Sequence, residues 1–227
     1  MKAVALIIFV ILASYNNSFS QKSRITVKDG EDIVKSIPDS IKFLYAQFVP
    51  GYVYFKDGRI SKALLNYNLL VEEMQFIKDN DTLAIANEPA LKLIIINKDS
   101  FYYDKSYLLV VKSTGTAKVA KKELLKLGDI QKIGAYNQPS STSSTSNVSE
   151  LYTKTQGSQK LDQRVNRVFI KQTTYYLSDR YNHFLPASKK NVLKIFDKKQ
   201  NEIETFLNEN KIRFDNEDDL KRLVDFL

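Results

Sequence analysis

No cysteine occurs anywhere in the 227-residue sequence. That excludes disulfides, zinc–thiolate sites, iron–sulfur clusters and cysteine nucleophiles. It also excludes a lipid anchor on a cysteine behind the leader. Tryptophan is absent, and there are only 7 glycines and 5 prolines, which argues against collagen-like, low-complexity or repeat-blade architectures. One histidine, His183, is a poor start for a metal site, which ordinarily needs several ligands. A Ser/His/Asp triad could use only that histidine, and no Gly-x-Ser-x-Gly elbow is present. Phosphate-loop and dinucleotide fingerprints are missing as well. No catalytic, cofactor-binding or metal-binding residue, and no cofactor, is therefore assigned from the sequence.

Long apolar runs are missing too, with one exception at the start. Met1-Lys2 is followed by the unbroken run Ala3 to Ala13, then a polar stretch, then Ser18-Phe19-Ser20 before Gln21. A positive start, a short apolar stretch and small residues at 18 and 20 read as a cleavable signal peptide over 1–20. The run falls short of the roughly 20 residues that span a bilayer. The expectation is an exported protein, periplasmic, at the cell surface or secreted, with no transmembrane segment in its mature chain.

The chain carries 34 Lys and Arg against 26 Asp and Glu, interleaved along its length. With no arginine-dense block and with export, solubility explains the excess better than nucleic acid does, and no nucleic-acid partner is expected. The basic clusters are Lys118, Lys121, Lys122 and Lys126, and Lys189, Lys190, Lys194, Lys198 and Lys199.

Residues 21–41 read as a polar lead-in. They open a β-rich region that the sequence predicts over 21–136. Phe43 to Phe55 is aromatic and β-branched, broken at Pro50-Gly51. Asp57-Gly58 predicts a tight hairpin into a strand from Ile60 to Leu70, because both residues tolerate positive φ. Val71 to Ile77, Thr82 to Ile85, Leu91 to Ile96, Phe101 to Tyr103, Tyr107 to Val111 and Thr116 to Ala120 continue as short strands between turns. The spacing in Val119 to Leu127 also suits a helix. Residues 137–160 centre on seven consecutive Ser and Thr, which cannot bury enough apolar surface to order, and read as a flexible loop. Order resumes over 161–227, with a hairpin of Val165–Lys171 and Thr173–Leu177 followed by short helices. Ser188 caps one helix to Phe196. Asp197 with Gln200 opens a second to about Asn210, with Ile203, Phe206 and Leu207 as its stripe. Asn216 caps a last helix buried through Leu220, Leu223, Val224 and Leu227, and Asp215, Glu217, Asp218 and Asp219 crowd its start. The fold class is α+β: a mainly antiparallel sheet, a small barrel or roll, with two or three short C-terminal helices packed on it.

Two stretches carry a resemblance. One runs from Gly51 to Ala86, through Tyr54-Phe55-Lys56-Asp57-Gly58, Leu65-Asn66-Tyr67-Asn68, Glu72-Glu73-Met74-Gln75-Phe76 and Asp81-Thr82-Leu83-Ala84. The other runs from Ser188 to Leu227, through Lys189-Lys190-Asn191, Ile195-Phe196 and Asn216-Glu217-Asp218-Asp219-Leu220. Together they resemble a group of exported proteins of Bacteroidetes-type bacteria to which no activity is assigned. The resemblance implies a periplasmic or surface β-rich protein with a helical tail. It also implies glycan attachment at Asp39-Ser40-Ile41 and Asp81-Thr82-Leu83, although turn chemistry accounts better for Asp81-Thr82. The functional expectation is a non-enzymatic cell-envelope module that binds a protein or an envelope glycan through a sheet edge or loop face. The competing class is a secreted hydrolase using a carboxylate pair, which no sequence spacing singles out.

Overall fold

The computed structural model describes residues 24–133, 139–143 and 165–227. The leader expected over 1–20 and most of the 137–160 segment lie outside the described residues. No helix among the described residues is long and apolar enough to cross a membrane.

Among the described residues twelve strands form one antiparallel sheet: β1 (Arg24–Val27), β2 (Val49–Phe55), β3 (Ile60–Asn68), β4 (Glu73–Lys78), β5 (Asp81–Ala84), β6 (Leu91–Ile96), β7 (Asp99–Tyr103), β8 (Tyr107–Ser113), β9 (Ala117–Ile133), β10 (Pro139–Ser143), β11 (Val165–Asp179) and β12 (Phe184–Pro186). Their spatial order is β1-β11-β9-β8-β7-β6-β2-β3-β4-β5, with β10 added to β9 and β12 to β11. Two short helices, α1 (Ile33–Ser36) and α2 (Asp39–Lys42), follow β1; α3 (Lys189–Ile195), α4 (Gln200–Glu209) and α5 (Glu217–Phe226) close the chain. The expected α+β class, antiparallel with short C-terminal helices, is the observed one.

The sheet curls but does not close. Its free end returns toward β9 through the turn at Leu69–Glu72. There the Leu125 amide donates to the Leu69 carbonyl (2.7 Å), and Lys122 pairs with Glu72 (2.5 Å). The turn is held from within by Asn68, whose side-chain oxygen accepts from the amides of Leu70 and Val71. Asn66 grips the incoming chain in the same manner, accepting from the Tyr45 amide and donating to its carbonyl. Each of these asparagines is almost fully buried, and each is satisfied, Asn66 by backbone and Asn68 by backbone and the Gln75 side-chain oxygen that accepts from its amide, as burial of a polar group requires.

Hydrophobic alternation then sorts the side chains. The inner face holds a core of Val53, Leu65, Met74, Ile94, Ile96, Phe101, Leu125, Leu127 and Phe169, with Tyr67 and Tyr107 among them. Val27 and Ile37 join it, so the lead-in is not merely polar: β1, α1 and α2 lid this core. A second core lies under the C-terminal helices. It packs Val192, Ile203, Leu207, Leu220, Leu223 and Val224 on Ala117, Val119 and Leu177. Helices α4 and α5 are too short to be stable alone, and this burial is what holds them. The Ser188 and Asn216 caps form as expected, accepting from the amides of Asn191 and Asp219. The expected box at Asp197 does not: Asp197–Lys199 is a 3-10 turn, and α4 starts after it without a side-chain cap.

Four further expectations are corrected. Pro50-Gly51 does not break the strand; both lie inside β2. Gly51 is needed there because a Cβ would come within 2.7 Å of the Ile95 carbonyl oxygen and of a Leu65 methyl. Val119 to Leu127 is strand, not helix, since β11 pairs with it residue by residue. Val165 to Leu177 is one uninterrupted strand and not a hairpin. Gln172 and its neighbours offer no turn residue, and β9 supplies a partner along the full length. Within the segment read as a flexible loop, Pro139–Ser143 pairs with Asp129–Ile133 of β9. The expected Asp57-Gly58 hairpin is present: Gly58 has φ +90°, and Asp57 accepts from the Arg59 amide at 3.0 Å.

Candidate interaction face

Alternation along β2 and β3 puts Val53 and Leu65 inside and their neighbours outside. The outward set is Pro50, Tyr52 and Tyr54 on β2, and Ile60, Lys62 and Leu64 on β3, paired directly across the hairpin. On the other side of β2, Leu93 and Ile95 of β6 continue the rows beside Tyr54 and Tyr52. Such an outer face would ordinarily be polar. Here Tyr52, Ile60 and Leu64 are 43%, 60% and 44% exposed. Tyr52 and Tyr54 lie 6.5 Å apart between ring centres, with the Lys62 ammonium 5.9 Å from the centre of the Tyr52 ring. Lys62 is the one charge among these positions. At the tip, Arg59 is tied to Asp57 (2.7 Å) and stands over the Phe55 ring.

Farther round the same sheet, a comparable apolar patch is covered by the chain itself. Tyr102, Leu108, Ala120 and Tyr176 form it, and Phe184 lies across it. The ring centres of Tyr102 and Phe184 are 5.7 Å apart. The patch on β2, β3 and β6 has no such cover among the described residues.

The residues singled out in the sequence fall elsewhere. His183 is exposed in the turn before β12 and bonds Asp179 (2.9 Å). Asp179 also accepts from the amides of Tyr181 and His183, which is a turn arrangement. Burial lifts the Asp179 carboxyl, but these donors outweigh it and hold the group below the usual carboxylate range. Of the acidic group at α5, Glu217, Asp218 and Asp219 are consumed in ion pairs. Glu217 meets Lys121 and Lys221, Asp218 meets Lys221, and Asp219 meets Arg213 and Arg222. Among the described residues no group of three or more His, Asp or Glu is placed to hold a metal. Nor does the first basic cluster make a continuous patch. Lys121 and Lys122 point to opposite faces of β9, each toward its own carboxylate. Ser40 and Thr82, the acceptor positions raised by the resemblance, are both exposed.

Two carboxylates do share a partner: Glu123 and Glu217 both reach Lys121, at 3.6 and 3.4 Å. Beside Glu123 is a cavity of only about 10 Å³, far too small for a sugar ring or a peptide bond. These acids neutralise lysines. The face on β2, β3 and β6 was not singled out from the sequence, although the signal existed in Pro-Gly-Tyr-Val-Tyr-Phe followed across the turn by Ile-Ser-Lys-Ala-Leu-Leu. Both strands alternate, yet all but Lys62 of the positions between the core residues are apolar as well. Compared with protein-family models, curated proteins and solved structures, the chain finds no match in any of the three.

Proposed function

We propose that this protein is an exported cell-envelope component acting as a non-enzymatic binding module, and that it docks a protein partner on the outer face of β2, β3 and β6. The observation that carries the reading is the bare row of Tyr52, Ile60 and Leu64, aromatic and aliphatic groups exposed side by side on a rigid sheet. Clustered exposed apolar groups of this kind mark interaction sites, and tyrosines anchor them because a large ring is ordered at little entropic cost. Export rests on the leader over residues 1–20. Charge selects the kind of partner. A second copy packed face to face would bring one Lys62 ammonium toward another. A partner with an apolar surface and a carboxylate opposite Lys62 meets the face without that repulsion.

The test is capture from solubilised envelope by the chain from Gln21 onward, followed by binding of the purified captured protein to variants. Ile60→Asp and Tyr52→Ala are expected to weaken binding by tenfold or more while leaving the thermal melt unchanged. Glu202→Gln, on α4, is expected to leave binding as it is. Binding indifferent to both face variants would overturn the reading. So would self-association of the chain that Ile60→Asp abolishes.

A further inference from the structure

The inner core contains an anomaly that its packing does not explain. Tyr67 and Tyr107 are only 2% and 3% exposed, and neither hydroxyl has a hydrogen-bond partner among the described residues. Their rings stand side by side, 5.7 Å between centres. Both line one small cavity together with Phe101, Lys121 and Glu123. Its volume, about 10 Å³, is at the lower bound for holding one water molecule. Phenylalanine would fill the same space without burying a hydroxyl. The sequence places tyrosine at both positions.

We propose that this cavity is a binding site for a single water, which accepts from both tyrosine hydroxyls and donates to Glu123. The donor count fits. Each phenol has one hydrogen to give, a water has two lone pairs to receive them, and a carboxylate takes what the water then donates. The surroundings also decide against the other occupants of this size. Carboxylates surround the pair, Glu72 and Glu123 near Tyr67, Glu88 and Glu73 near Tyr107. Burial first, and these charges second, raise both phenols and keep them protonated donors. A halide would meet that negative field. A metal cation would need oxygen acceptors where the phenols offer hydrogens. Glu123 already answers to Lys171 (3.3 Å) and Lys121, and Lys121 goes on to Glu217 of α5. The water therefore joins the core of the curled sheet to the ion-pair belt under the helices.

Replacing either tyrosine by phenylalanine removes the hydroxyl and keeps the ring, so the variants should fold. If the water is there, Tyr67→Phe and Tyr107→Phe each lower the melting temperature by about 2–4 °C. If Tyr67→Phe leaves the melting temperature unchanged or raises it, the cavity is dry and the proposal fails. A crystal structure should show a density peak within hydrogen-bond reach of both hydroxyl oxygens. A cavity without density, or a peak with metal-like coordination, rejects the proposal.

Discussion

The two halves of the β9–β11 ribbon form one continuous face and yet serve two different cores. At one end Phe169 and Leu127 face each other inside the curled sheet. At the other, Leu177 and Val119 face each other beneath the helices. The rows between are Lys171–Leu125, Thr173–Glu123 and Tyr175–Lys121. Odd-numbered residues of β9 from Ala117 to Leu127 all point the same way, so charge appears mid-strand on an inward face. It is tolerated because Lys121, Glu123, Lys171 and Glu217 neutralise one another where the two cores meet. The difference teaches that one strand pair can hold two packing environments when a paired polar belt separates them. It also means that the helices have no independent floor: theirs is the end of the sheet's own longest ribbon.

The strongest way to break this comparison is to remove one side. Truncation before Ser188 would expose Val119, Leu177 and Ala117, all of them fully buried. The expected outcome is loss of cooperative folding by circular dichroism. A truncated chain that melts as sharply as the full one would show that the curled sheet stands alone.

Single deletions come next. Leu127→Ala on the sheet side and Leu223→Ala on the helix side each remove a fully buried side chain, at an expected cost of about 2–5 kcal/mol. With a shared ribbon, both should lower the same single calorimetric transition. Two transitions, each sensitive to one variant, would make the belt a boundary between separate units.

The smallest effect is on pH. Burial lifts the Glu217 carboxyl, but hydrogen bonds and attraction from Lys221 and Lys121 outweigh it, and the group sits below its ordinary value of 4.5. A lowered carboxylate stabilises the fold above that value and ceases to as pH falls through its folded pKa. Stability should hold from neutral pH to about 5 and decline below 4.5. Glu217→Gln should flatten that part of the acid limb, read from urea midpoints at pH 7 and pH 3.5. An acid limb identical in the variant would separate Lys121 from the helix.

Much of the fold was legible in local pattern. Turn chemistry located the Asp57-Gly58 hairpin, and Ser188 and Asn216 announced two helices, because these choices rest on interactions within a few residues. The failures share a cause. Pro50-Gly51 looked like a break until Ile95 and Leu65 pressed against Gly51. Val165 to Leu177 looked like two strands until β9 ran beside all of it. The lead-in looked polar because Val27 and Ile37 are isolated in sequence and gathered only by the core. The interaction face was hidden for a related reason: an apolar residue on an alternating strand reads as core, and only burial separates Ile60 from Val53.

By itself, then, the sequence determined which cysteine chemistry is excluded, the antiparallel character of the sheet and the capped helices at its end. Each follows from composition or from neighbours along the chain. Tertiary structure decided that the sheet curls without closing, that one ribbon carries two cores, and that Tyr52, Ile60 and Leu64 stay bare while the patch under Phe184 is covered. Those outcomes depend on which residues meet across more than fifty positions of chain, as Leu69 meets Leu125 and Val27 meets Arg167, and no local pattern encodes such meetings.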